Sequence, residues 1–161
     1  MSDWSRFLAW AKRFADDVDL DTDERAYKVA LADRLTAAVE MARAGDSSWL
    51  HELKASLQGV NLIPWQFTDA LMKSAGGHEP TLRAVVLELL DAPEPVAQLD
   101  GFGAAIRAIH PGATPGNLVA MASVLLMSQQ PATYPPYRAE PASAWAARVG
   151  AGGPGDGFAE R

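Results

Sequence analysis

Leu118, Met121, Ala122, Leu125, Leu126 and Gln129 recur at helical spacing, and Val119, Ala120 and Val124 make the opposite side apolar as well. A helix that is apolar nearly all round belongs at the centre of a domain. Its start is marked by Thr114, which can cap free backbone N–H groups, and by Pro115, suited to the first helical position. Pro131 stops it. The spacing thus predicts a central helix over residues 115–129. It is shorter than the roughly 20 apolar residues that a bilayer span needs.

Six more helices are expected around it. Trp4, Phe7, Leu8, Ala11, Phe14, Ala15 and Val18 mark one face of a helix over 2–18. That face reads as core, with a docking face for another subunit as the alternative. A second helix is capped by the box of Asp21 and Glu24 and ends at Gly45, with Tyr27, Leu31, Leu35, Ala38 and Ala42 inward. A third runs from Asp46 to Gln58 with Trp49, Leu50, Leu53 and Leu57 inward. A fourth starts at Pro64 and buries Trp65, Phe67, Ala70 and Leu71. A fifth opens at Pro80 and Thr81, with Leu82, Val85, Val86, Leu89 and Leu90 facing the core. A sixth spans Val96 to Ile109, where Gly101 and Gly103 lower the propensity. No alternating β-branched run suggests a strand. The expected fold is all-α, a compact bundle of about seven helices around residues 115–129. It is a single domain over 1–149, followed by a flexible Gly-rich tail or linker over 150–161.

Composition narrows the function classes. The chain has 161 residues, 48% of them apolar, enough for a real core. Its net charge of −6 lacks the basic footprint of a nonspecific DNA binder, although a local basic patch stays compatible with it. No cysteine is present, so disulfides and thiolate metal sites are excluded, and a cytoplasmic location fits. There is neither a signal segment nor a membrane span. Asp19, Asp21 and Asp23 alternate like calcium ligands, but the positions that need Gly and Glu hold Glu24 and Ala30. His51, His78 and His110 lack metal spacing, and Ser123 and Ser128 lack a nucleophile elbow. No catalytic residue, metal or cofactor is expected.

The least ordinary loop is Tyr134-Pro135-Pro136-Tyr137-Arg138. Its prolines force an extended rod that carries two rings and a cation. Because Pro135 and Pro136 cannot donate backbone hydrogen bonds, side-chain anchors must hold it, and packing of at least one Tyr on the central helix is the expected outcome. The alternative is a recognition surface in which Tyr134 and Tyr137 stack on a base and Arg138 holds a phosphate.

An apolar helix, a Pro-containing turn, this Tyr-Pro-Pro-Tyr-Arg run and a small helix before a Gly-rich exit resemble the N-terminal region of McrB-like AAA+ proteins. These are the NTP-driven motors of modification-dependent restriction systems. The likeness covers about Leu118 to Trp145. The Walker A pattern of such a motor, Gly-x-x-x-x-Gly-Lys-Ser/Thr, is absent from this chain, so the resemblance is to the segment that precedes the motor. It implies a non-catalytic specificity or substrate-engaging module of an anti-phage system, with DNA or RNA as partner. The alternative is a helical interaction or assembly module that recruits another defence subunit.

Melting and titrating Arg138→Ala separates the two roles of the loop. A structural Arg138 lowers the melting temperature and leaves binding by the folded fraction unchanged, which is the expected outcome. A phosphate-binding Arg138 leaves the melt unchanged, weakens nucleic-acid binding and reduces its salt slope by about one unit.

Overall fold

The computed structural model describes residues 3–17, 19, 25–58 and 60–137. Seven α-helices account for most of them: α1 (Asp3–Asp17), α2 (Ala26–Arg43), α3 (Trp49–Leu57), α4 (Trp65–Ala75), α5 (Glu79–Asp91), α6 (Leu99–Ile109) and α7 (Pro115–Gln129). No strand occurs among the described residues. The fold class expected from periodicity is the fold observed.

α7 lies at the centre, enclosed by α2, α5 and α6. Leu118 through Ala122 and Val124 through Ser128 are all buried. The helix begins as its sequence requires. The Thr114 hydroxyl accepts the Asn117 N–H at 3.3 Å, and Pro115 occupies the first turn, where its missing N–H costs nothing. α2 and α3 pack together, α4 lies against α3, and α5 pairs with α6. The link between α3 and α4 contributes Leu62 and Ile63 to the same core.

The turn between α2 and α3 shows how local chemistry sets the path. Gly45 takes φ +75°, the left-handed region in which a Cβ is unfavourable. The Gly45 N–H donates to Ala42 O and the Asp46 N–H to Met41 O, closing a Schellman motif over the free carbonyls of α2. The Asp46 carboxylate then accepts from the Ser48 N–H at 2.9 Å and the Ser48 hydroxyl at 2.6 Å. These bonds turn the chain before α3, so the helix starts at Trp49 rather than at Asp46.

Four other expectations differ in detail. The helix expected from Val96 is split. Pro95–Gln98 forms a 3₁₀ turn, with the Ala97 N–H bonded to Glu94 O, and α6 follows. Trp65 is 70% exposed, because it occupies the first residue of α4, one turn before the buried layer of Thr68 and Met72. Tyr27, in the first turn of α2, is likewise exposed, whereas Leu31, Leu35, Ala38 and Ala42 are buried. On α1 the face expected as core is not buried where its side chains are described: Trp4 is 55% and Leu8 52% exposed. The Asp21–Glu24 capping box, the small helix after Arg138 and the Gly-rich tail lie outside the described residues.

The Leu125 side chain is fully buried on the helix that every neighbour shares. Leu125→Asp places an unpaired charge there at a cost of several kcal/mol, against a total stability of roughly 5–15 kcal/mol. The expected result in a thermal melt followed by circular dichroism is loss of the cooperative transition. A near-wild-type midpoint would show that α7 does not organise the fold.

Candidate binding surfaces

The rod after α7 is tied down from both ends. Gln130 O accepts from the N–H groups of Thr133 and Tyr134 at 3.0 and 2.9 Å. The Tyr137 N–H donates to Ser123 Oγ at 2.8 Å, and that hydroxyl donates onward to Ala120 O at 2.9 Å. Tyr134 and Tyr137 are both half-buried and packed on the core. The Tyr137 hydroxyl is buried without a hydrogen-bond partner. Both rings therefore serve as anchors in this conformation. Arg138 lies outside the described residues. Ser123, considered from sequence only as a nucleophile, is instead the polar notch in an apolar helix that receives the returning chain. The Ser128 hydroxyl instead donates to Leu125 O at 2.6 Å within α7, while the backbone carbonyl of Ser128 accepts the Thr36 hydroxyl at 2.9 Å, linking α7 to α2.

Charged side chains join the outer helices in pairs. The buried Trp49 indole donates its N–H to Glu79 Oε1 across α3 and α5. Arg83 Nε and an Arg83 terminal nitrogen donate to the same oxygen at 2.9 and 2.6 Å, and the guanidinium sits 5.9 Å from the Trp49 ring centroid. Asp69 holds Lys54 at 3.2 Å and Lys73 at 2.7 Å, bridging α3 and α4. Arg43 joins Asp91 across α2 and α5, and also meets Glu40 at 2.8 Å. Lys54, Lys73 and Arg83 are thus drawn to two separate carboxylates rather than into one basic patch. The Arg107 guanidinium donates to Ala113 O at 3.4 Å, below α7.

Among the described residues no three potential metal-ligating side chains come together. His110 packs its ring near Phe67, with centroids 6.0 Å apart. Large exposed apolar side chains are gathered on α1. Trp4 and Leu8 project at 55% and 52% exposure and Trp10 at 63%, and every side chain described on this helix is exposed except the half-buried Ala11. A second apolar feature lies between α5 and α6. Val85, Leu89, Gly101, Phe102 and Ala105, with Glu88 and Gln98, line a half-open recess of about 90 Å³. Helical periodicity does not reveal it, because it lies between two helices rather than along one.

No family model, curated protein or solved structure matches this chain.

The Trp49–Glu79–Arg83 cluster predicts a pH response. The Trp49 N–H, and then Arg83, hold the Glu79 carboxyl below its ordinary value, against an opposing effect of burial. A depressed folded-state pKa gives stability that is fully present above the ordinary carboxyl range and is lost as pH falls through the lowered pKa. Glu79→Ala also orphans the buried indole N–H, so a loss of about 1–3 kcal/mol is expected at neutral pH. Urea melts from neutral to strongly acidic pH should show the wild-type and Glu79→Ala midpoints converging as Glu79 protonates. A constant gap across that range contradicts the electrostatic part of the account.

Proposed function

We propose that this chain is a helical protein-interaction module. On the likeness of residues 118–145 to the segment ahead of McrB-like motors, its role is to recruit or position another subunit of an anti-phage restriction system in the cytoplasm. The reading is non-catalytic: any NTPase or nuclease activity belongs to a partner.

The observation that carries it is α1. Trp4, Leu8 and Trp10 on this one helix are each more than half exposed, a concentration of large apolar surface that a partner can cover. Buried against a partner, each is worth roughly 1.5–3 kcal/mol. Aromatic side chains of this kind are the usual anchors of protein interfaces. The cations of the helical core favour the same reading. Arg43, Lys54, Lys73 and Arg83 are each engaged by a carboxylate, which lowers their availability to phosphate.

The specificity-module reading, with DNA or RNA as ligand, places recognition at Tyr134, Tyr137 and Arg138. Both rings are turned to the core, so stacking on a base would cost their packing. That makes the nucleic-acid reading the weaker of the two.

Titration with modified and unmodified DNA and RNA at two salt concentrations tests the choice. The interaction reading expects no saturable binding at protein concentrations up to about 0.1 mM. Saturable binding that weakens with salt by two or more units of log–log slope, roughly two phosphate contacts, would reverse the assignment.

A further inference from the structure

The chain leaves α7, turns at Pro131 and meets the same helix again at Ser123. The near end of this return is held by backbone: Gln130 O accepts the N–H groups of Thr133 and Tyr134. The far end is held by less. Pro135 and Pro136 have no N–H to give, so Tyr137 supplies the only backbone donor of residues 135–137. That N–H goes to a side chain, Ser123 Oγ at 2.8 Å. The rings of Tyr134 and Tyr137 are half-buried against the core. The Tyr137 hydroxyl, however, is buried with no hydrogen-bond partner among the described residues. A phenol in water is hydrogen-bonded, so the closed position costs this group its partners and an opened one restores them. Val119, Leu126 and Met127 share the face of Ser123 at helical spacing, and all three are buried.

We propose that residues 130–137 form a strap that unlatches from α7 while the core stays folded. Ser123 is the latch, the turn at Gln130 is the hinge, and the unpartnered Tyr137 hydroxyl biases the strap toward opening. Opening breaks the bond from the Tyr137 N–H to Ser123 and wets two rings that are already half-exposed. The hinge keeps both of its bonds to Gln130 O. α7 keeps its own hydrogen bonds, including the one from the Ser123 hydroxyl to Ala120 O at 2.9 Å. In the open state water satisfies the Tyr137 hydroxyl and the Tyr137 N–H alike. A segment with few backbone hydrogen bonds and partly exposed rings belongs to the low-stability end of a domain, where opening is local. The open strap gives water and ligands access to the Ser123 side of α7, which the closed strap withholds. This motion is independent of the interaction reading, since it needs no partner.

Native-state hydrogen exchange of the full chain, followed by NMR in urea below the unfolding transition, tests this. The residue 137 amide is expected to be protected, yet to exchange at least about a hundredfold faster than the slowest α7 amides. Urea should barely promote that exchange, because the opening exposes little surface. Two variants separate the latch from the bias. Ser123→Ala removes the acceptor and is expected to lower protection at residue 137 about fivefold, with the α7 amides holding theirs. Tyr137→Phe removes the hydroxyl and keeps the N–H, so protection at residue 137 is expected to rise about tenfold, or 1.4 kcal/mol. A gain on deleting a polar group is a result that a fully satisfied tyrosine anchor would not give. Circular dichroism melts verify that both variants are folded. A residue 137 amide that opens only with the whole core overturns the proposal, as does one with no protection at all. A Tyr137→Phe chain with lower protection, or without a cooperative melt, overturns it as well, because the hydroxyl then has a partner in the folded state.

Discussion

The burial of α7 is the constraint on which the remaining structure depends. A helix apolar on all sides has no face that water tolerates, so it must be enclosed rather than merely packed against. α2, α5 and α6 supply the enclosure. Each is one-sided, with buried positions restricted to one stripe, such as Leu82, Val86 and Leu89 on α5. Two groups on α7 tie the shell to it: the Ser123 hydroxyl receives the Tyr137 N–H, and the Ser128 backbone carbonyl receives the Thr36 hydroxyl. The chain leaving α7 is thus folded back onto the same helix.

Features encoded within one or two turns were legible in the sequence. The Thr114 cap, the Gly45 stop and the stripe of α2 from Leu31 to Ala42 follow from local sterics and helical period. Periodicity also gives the phase of a face, but not whether a neighbour stands opposite it. Trp65, Tyr27, Trp4 and Leu8 all have apolar spacing and all lie exposed, three of them in the first turn or so of their helices. Nor does it reveal contacts made across the bundle. Trp49 and Glu79 are 30 residues apart, and Ser123 and Tyr137 are 14 apart. Of the three loop residues singled out, Tyr134 and Tyr137 are visible as half-buried anchors, and Arg138 lies outside the described residues.

The distribution of charge and apolar surface gives the molecule two characters. Across the outer helices, opposite charges are matched between neighbours: Arg43 with Asp91, Lys54 with Asp69, Arg83 with Glu79. Exposed pairs of this kind add little stability, typically below about 1 kcal/mol, but they fix which helix lies beside which. The N-terminal helix is different. Trp4, Leu8 and Trp10 on it are each more than half exposed, and its three bases, Arg6, Lys12 and Arg13, are matched in number by Asp3, Asp16 and Asp17.

Native-state hydrogen exchange resolved by residue tests this division directly. Amides in the core of a cooperative domain exchange only through global opening, whereas peripheral elements open at lower cost. The account predicts that the α7 amides from Leu118 to Met127 fall in the slowest tier, with the free energy of global unfolding. It predicts that α1 exchanges far faster in dilute solution without loss of α7 protection. Equal protection of α1 and α7, or an α7 that opens before its neighbours, would contradict a core organised around that helix.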